Sequence, residues 1–466
     1  MKKLLHLLTF LFLTISVLNS SAQSIAAGGP HSLFVCTGGT VKACGDNYYG
    51  EIGDGTTTLR QSPVNVSTVT SIVSVAGGYH QSFFVKSDGT VYATGSNDVG
   101  QLGLGHTTDV HTPTLVTSLS GVKAVAGGYY HTLFLKTNGM VYASGLNTFG
   151  ALGNGDNTDV DAPVEVLNVT NIVAIAAGYN FSLFLKSDGT VWACGWNAYG
   201  QLGNGTTTSE NQPIQIPTLT NIIAIAAGHD HALFVKSDGT VKSCGYNNYG
   251  QLGDNSMTTR LTPVSVTGVS GIVSAAAGWS HSILRKNDGT VWSCGDNYYG
   301  QLGVLSPSQR STFAQISGFN YVGQIACGDD HTLFVKTNGT AYATGSGAAG
   351  QLGNGTGSDA FSPAQVPSLC SIAIGVNEID VADDADFRFL NQPFTDELEA
   401  TLFLNESKKL TLSIYDMQGK LLQAQSLAAT AGTNHLTADL RKLDSGIYFI
   451  EISNETSALQ KKFAKM

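Results

Sequence analysis

Glycine recurs along this chain with a fixed step of 50 residues. One series occupies positions 45, 95, 145, 195, 245, 295 and 345, and a second occupies 50, 100, 150, 200, 250, 300 and 350. A third runs from 39 to 339 and a fourth from 53 to 353, with no insertion or deletion in any of them. So strict a period marks stacked supersecondary units, each too small to bury its own apolar surface without a neighbour.

One unit reads as four strands. Ile172 to Ala177 is an apolar run expected as the first strand, and Phe181 to Lys186 alternates as the second. Ser187-Asp188-Gly189 follows as a tight turn, with Asp-Gly expected to supply the positive φ of a primed hairpin. Val191 to Cys194 is the third strand. A glycine-rich loop from Gly195 to Gly205 then leads to Pro213–Ile216 as the fourth. Four short strands per repeat of this length describe a propeller blade, and seven blades close a ring that removes most exposed sheet edges. The closing segment stays open at this level. Ser24 to Ala27 can supply the first strand of the first blade, yet Ser371 to Gly375 begins an eighth copy and stops.

Composition narrows the function classes. Only 12% of residues are charged, against about 25% in ordinary soluble chains, and the net charge is −10. Nothing here attracts nucleic acid or an anionic membrane. Lys2, Lys3, the apolar run Leu4 to Val17 and the small residues Ser20-Ser21-Ala22 predict a signal peptide over residues 1–22, removed before Gln23. That run is short of the roughly 20 residues a membrane span needs, so no membrane span is expected. The seven cysteines are an odd count, which forbids a complete disulfide framework within one chain. Cys44, Cys194, Cys244 and Cys294 share one repeat phase with Thr94, Ser144 and Thr344, as a small semi-buried strand position would. They are expected to be structural thiols, and no C-x-x-C pair calls for a metal.

The blade consensus A-A-G-x-x-H-S-L-F-V-K-S-D-G-T-V-x-A-C-G-x-N-x-Y-G-Q-L-G-x-G is best marked by Gln201-Leu202-Gly203 and its six equivalents. Glu51-Ile52-Gly53 and Ala151-Leu152-Gly153 are the loosest of these. It resembles the regulator-of-chromosome-condensation repeat over residues 24 to about 375. The resemblance implies a seven-bladed β-propeller and leaves the activity open, because propellers host many unrelated functions.

After Gly375 the composition changes. Residues 23–375 carry 20 acidic and 13 basic side chains, while residues 376–466 carry 14 and 9 in a quarter of the length, with only three glycines. The expected organisation is therefore a signal peptide (1–22), a propeller (23–375), an acidic linker (376–386) and a C-terminal domain (387–466). The acidic stretch Asp380 to Asp386 lacks the central glycine and distant glutamate of an EF-hand, so it reads as a solvated linker. Beyond it, Asn391-Gln392-Pro393-Phe394, Leu412 to Lys420, Gly446 to Ile452 and Lys461 to Lys465 resemble the type A sorting domain of the bacterial type IX secretion system. Asn-Gln-Pro-Phe stands where that family has Asn-Pro-Phe. The resemblance implies an immunoglobulin-like β-sandwich, a partnership with the secretion machinery, and a secreted or outer-membrane-surface location. The whole chain is then all-β, a seven-bladed propeller followed by a small sandwich.

No nucleophile elbow, phosphate loop or zinc-helix motif occurs, so no catalytic residue, cofactor or metal is expected. His31, His131, His231, His281 and His331 share one phase, with Gln81 and Phe181 replacing them in two blades. A residue repeated around a ring is framework, expected here to bond a neighbouring loop backbone.

Strand parity puts the loops between first and second strands, and between third and fourth, on one face, where the residues vary from blade to blade. The candidates for ligand binding there are Tyr79, His80, Tyr129, Tyr130, Tyr179, His229, Asp230, Trp279, Asp329 and Asp330 from the first set of loops, with Trp196 and Tyr246 from the second. Tyr48, Asp296 and Tyr298 lie on the same face, whereas Tyr199, Tyr249 and Tyr299, at a shared phase, read as loop packing. Aromatic anchors with carboxylates on a rigid platform fit an extracellular protein or glycan ligand. A secreted bacterial β-lactamase inhibitor resembles this fold and uses such a face on its partner. The expected function is therefore a secreted, non-enzymatic, monomeric binding protein. The alternative is a polymer-processing enzyme with Asp230, Asp329 and Asp330 as a carboxylate site in the propeller funnel. Nucleotide exchange on a cytosolic GTPase fits neither a secreted chain nor blades free of insertions.

Overall fold

A computed structural model describes residues 23–372, 386–389, 396–404, 408–416, 421–430, 432–444, 446–453 and 458–465. The predicted signal peptide, most of the acidic linker and Asn391 to Phe394 lie outside the described residues. The chain divides into two compact units, residues 1–375 and 376–466.

The first unit holds seven four-stranded antiparallel sheets and, among the described residues, no helix. Within each sheet the strands lie in chain order. In the fourth blade they are Ile172–Ala177, Phe181–Lys186, Val191–Gly195 and Glu210–Gln215. The fourth strand thus starts three residues before the expected Pro213. Proline is tolerated there because the strand is an edge and its missing N–H withholds no ladder bond.

The hairpin turn also differs from expectation. Only Gly189 has positive φ (78°), so Asp188 does not form a primed turn. Gly189 N–H instead donates to Lys186 O (3.0 Å) and Lys186 N–H to Thr190 O (3.0 Å), a type I turn closed by a glycine bulge. Asp188 spends its carboxylate on the N–H and hydroxyl of Thr190.

The second strand is central in its sheet and is covered on both sides, so all of Phe181 to Leu185 is buried. Apolar clusters accordingly form between blades. Leu183, Leu185, Val191 and Leu202 of the fourth pack with Ala232, Phe234 and Cys244 of the fifth. The shared cysteine phase has a purpose in this packing. Cys244 Sγ lies 3.6 Å from Gln201 O of the preceding blade, and Thr94 Oγ1 likewise donates to Gly50 O of the blade before it at 2.9 Å. Any small donor serves, which is why Cys, Ser and Thr alternate.

Both ends of the repeat array build the first blade. Ile25–Ala27 pairs with Ser32 to Phe34, and Ile372 pairs with Cys36 one step further along the same edge. Thr37 N–H donates to Ser371 O (2.9 Å), and a disulfide joins Cys36 to Cys370 with their Cα atoms 5.6 Å apart. The innermost strand is therefore composite, and neither end supplies it alone. The other five cysteines are free, four of them buried.

The second unit has two antiparallel sheets. One orders Asp386–Phe389, Glu397–Leu404 and Gly432–Asp439. The other orders Leu421–Ala429, Lys408–Tyr415, Gly446–Ser453 and Ala458–Lys465. Alternating residues of both sheets, among them Leu398, Leu402, Leu412, Ile414, Leu436 and Ile450, form one core, as in a small β-sandwich. Tyr448 Oη donates to Asp444 O (2.7 Å) and fixes the preceding turn.

Candidate functional site

The seam between blades is polar as well as apolar. His31 Nε2 lies 2.8 Å from Ser82 Oγ of the next blade, and Ser82 passes its own proton to Glu51 O (2.7 Å). His131–Ser182, His231–Ser282, His281–Thr332 and His331–Ser32 repeat the contact at 2.9–3.0 Å. The imidazole thus meets a hydroxyl of the next blade rather than loop backbone. Because the hydroxyl donates onward, the ring proton sits on Nε2, and every Nδ1 is left buried without a partner. Burial without an acceptor pushes four of these histidines down to about 3 and His131 to about 4. They are framework.

The residue two places before each of these positions turns toward the propeller axis. Tyr79 stacks on Tyr129 (ring centroids 3.8 Å apart), Tyr129 meets Tyr179 (4.3 Å), Tyr179 stacks on His229 (4.0 Å), and His229 stacks on Trp279 (4.1 Å). Five blades therefore contribute one continuous aromatic arc. Backbone bonds tie it together, such as Tyr179 N–H to His229 O (3.1 Å) and Trp279 N–H to Asp329 O (3.0 Å). A cavity of about 90 Å³ lies against the arc, walled by backbone of all seven blades. Rings stacked on each other have few free faces, so the arc fits a plug over the axis better than a platform for sugar rings.

Beside the arc, over the fourth to seventh blades, opens a larger cleft of about 420 Å³. Tyr199, Tyr246, Tyr249 and Trp279 form aromatic walls, with Tyr199 and Tyr249 each 39% exposed and Trp279 37%. His229, Asp230, Asp296, Asp330 and Ser280 complete the lining. Asp230 is held by His229 Nδ1 (2.7 Å) and Gln201 Nε2 (3.0 Å), and Asp296 by Gln301 Nε2 (3.0 Å). Burial lifts the carboxyl of Asp296. Burial and Asp330 push Asp329 up to about 7, and burial and Asp296 push Asp330 up to about 6. Carboxyls raised this far lack compensating positive charge.

The cleft thus gathers five of the twelve expected binding residues: His229, Asp230, Tyr246, Trp279 and Asp330. Asp329 ends the arc next to it. Tyr79, Tyr129 and Tyr179 belong to the arc, and Tyr130 packs edge-on against Tyr129 (4.4 Å). Trp196 packs on Phe149 (4.2 Å) and does not line the cleft. His80 pairs with the buried Glu51 (3.0 Å), whose other oxygen accepts Tyr49 N–H (2.8 Å). Asp46, Glu51 and His80 converge closely enough to be considered for a metal ion, but these bonds already occupy the Glu51 carboxylate. Tyr199 and Tyr249, expected as loop packing, line the cleft as well as touching Tyr246 (4.9 and 6.5 Å).

Fold and face together define a closed seven-bladed propeller with a ligand-sized cleft among its loops. Residues 161–382 match the RCC1-like domain, and residues 22–51, 72–101, 122–151 and 88–135 match the regulator of chromosome condensation (RCC1) repeat. Residues 392–466 match the secretion system C-terminal sorting domain. Human WBSCR16 is similar in structure, with 24% identity and a TM-score of 0.64 over 70% of this chain and 94% of that one. Yeast RCC1 (Prp20), solved with Kap60, has 22% identity and a TM-score of 0.65 over 78% and 91%. Prp20p from Saccharomyces cerevisiae, in a structure whose description concerns its binding to Gsp1p and histones, has 23% identity and a TM-score of 0.64 over 72% and 87%. At these identities the likeness concerns the fold. No curated protein matches the sequence. The chain belongs to the RCC1-repeat propellers and carries a type IX sorting domain, which directs it to the cell surface or the extracellular space.

Proposed function

We propose that this protein is a non-enzymatic binding module that works outside the cell and captures an extracellular ligand in the cleft beside the aromatic arc. The cleft itself carries the reading. It combines partly exposed aromatic walls with carboxylates on loops anchored by a rigid ring, and its volume falls in the range of ligand sites, about 300–1,000 Å³. Trp279→Ala and Tyr246→Ala are expected to weaken ligand binding by about 2 kcal/mol or more each, as buried interface anchors do. Both sit on loops, so melting should move little. Gly245→Val is the contrasting control. Gly245 has φ of 103°, and an added Cβ would run into Asp230 O, so this change should unfold the blade. Calorimetric melting beside binding to hits from a glycan array and a secretome pull-down checks all three. Lowered melting with unchanged affinity in the two alanine variants would make those rings structural.

Hydrolysis of an extracellular polymer has one observation in its favour: Asp329 and Asp330 stand near neutrality, where a proton donor is useful. They are chain neighbours, and on this reading Asp230, in the cleft with Asp330, would have to act as the second carboxylate. Turnover of any polymer that disappears in Asp330→Asn would establish it.

We also assign export to the tail. Deleting residues 387–466 is expected to leave a folded propeller held in the periplasm, seen by cell fractionation. Normal surface display of the truncated chain would overturn that assignment.

A further inference from the structure

We propose that the cleft receives the guanidinium or ammonium group of a basic residue presented by a partner polypeptide. The inference rests on the binding-face reading and gives it a ligand class. Three carboxylates, Asp230, Asp296 and Asp330, face one space, and no lysine or arginine lines it. Asp230 has His229 beside it, and Asp296 has an amide donor. The Asp330 carboxylate has no hydrogen-bond partner among the described residues. Tilted aromatic rings stand over the same space (Tyr199 to Tyr246 at 59°, Tyr246 to Tyr249 at 58°), so their faces are not consumed by parallel stacking.

Aromatic faces combined with carboxylates bind a cation in two ways at once, by ring quadrupole and by charge-assisted hydrogen bonds. A neutral sugar in this cleft would strip water from three carboxylates and return no charge to them, which is the costly arrangement.

The buried amides behind the lining favour a peptide over a free cation. Two glutamines of the repeat donate from behind into the lining. Gln201 Nε2 reaches Asp230, and Gln301 Nε2 reaches Asp296. Gln251 stands between them in the ring and is fully buried. Its Oε1 accepts from Tyr249 N–H (3.1 Å), and its Nε2 has no acceptor. The two residues its counterparts address are here Ser280 and Tyr246, both lining the cleft. Gln251 lies behind the lining and not in it, so a ligand oxygen would meet this donor only by entering between Ser280 and Tyr246. A peptide brings carbonyl oxygens together with its cation, whereas a bare ammonium ion brings none.

The test uses the full chain and a pool of fluorescent hexapeptides, random except for one central arginine. A twin pool carries citrulline, which keeps the shape of arginine, exchanges one amino group for a carbonyl oxygen and drops its charge. The arginine pool is expected to bind at least tenfold more tightly by anisotropy. Asp330→Asn and Asp296→Asn should each cost about tenfold toward arginine, leave the citrulline pool unchanged and not lower the melting temperature. Equal binding of the two pools, or binding of neither, overturns the inference. Should a neutral glycan bind instead, and lose affinity in Trp279→Ala, the face is still a binding face and only its ligand class is wrong. Indifference of every ligand to Trp279→Ala would remove both readings.

Discussion

Acidification from pH 7 to pH 5 is expected to destabilise the propeller by roughly 5 kcal/mol, read as a fall in melting temperature on the order of 10 °C. The five seam histidines titrate near 3 to 4 when folded and near 6.5 when unfolded. The folded value is the lower one. Their contribution is therefore complete above pH 6.5 and is lost as pH falls from there toward the folded values. Around pH 5 the unfolded chain holds about five more protons at these sites. Asp329, Asp330 and Asp296 work in the opposite direction, since their raised carboxyls take up protons earlier in the folded state. A net two to three protons gives a slope of roughly 3–4 kcal/mol per pH unit. His131→Gln, which copies what Gln81 already does in its own blade, should remove about one proton from that slope. A melting temperature flat between pH 7 and 5 would show that these imidazoles are not buried neutral.

The second large effect concerns closure. Cys370→Ser, or reduction of the native chain, is expected to lower stability by roughly 2–5 kcal/mol, because the Cys36–Cys370 bond closes a loop of 334 residues. Without it the C-terminal end holds to the first blade through the Ile372 bridge, the Thr37–Ser371 bond and the packing of Ile372 with Ile25 and Phe34, none of them covalent. Reductant should act on this bond alone. The remaining cysteines are unpaired, and burial raises the thiols of Cys44, Cys194, Cys244 and Cys294. Denaturant melts of the wild-type chain with and without reductant, alongside the serine variant, check the claim. Coincident curves would mean that the composite strand holds by itself.

The ring was legible because its signal is repeated seven times, whereas the closure was not, because its signal occurs once. Both cysteines break the repeat. Cys36 stands where the other blades carry Lys86, Lys136, Lys186, Lys236, Lys286 and Lys336. Cys370 stands where they carry Thr70, Ser120, Thr170, Thr220, Ser270 and Asn320. Two departures at the two ends of an array are the trace such a clasp leaves, but an odd cysteine count hides it.

The loop face proposed for binding was legible as a set of positions, since parity alone assigns loops to a side. It was not legible as a site. Whether Tyr129 shows its face to solvent or to Tyr179 depends on the angle between blades, which no local pattern encodes. Tyr199 and Tyr249 repeat like framework and still line the cleft, because a ring can pack on one edge and face open space with the other.

The histidine seam also has an exception. Phe181 lacks the imidazole, and across the same seam Ala232 lacks the hydroxyl that Ser182, Ser282 and Thr332 offer; the two meet in one apolar cluster. Polar joins polar and apolar joins apolar, with each matched pair split between two repeats. A blade cut out at its own borders would carry half of two different joints. Set beside a new neighbour, Phe181 would face an orphaned hydroxyl, or Ala232 an orphaned imidazole. The transplantable cassette in such a ring runs from the middle of one blade to the middle of the next, and shuffling or grafting that respects the repeat boundary severs the wrong bonds.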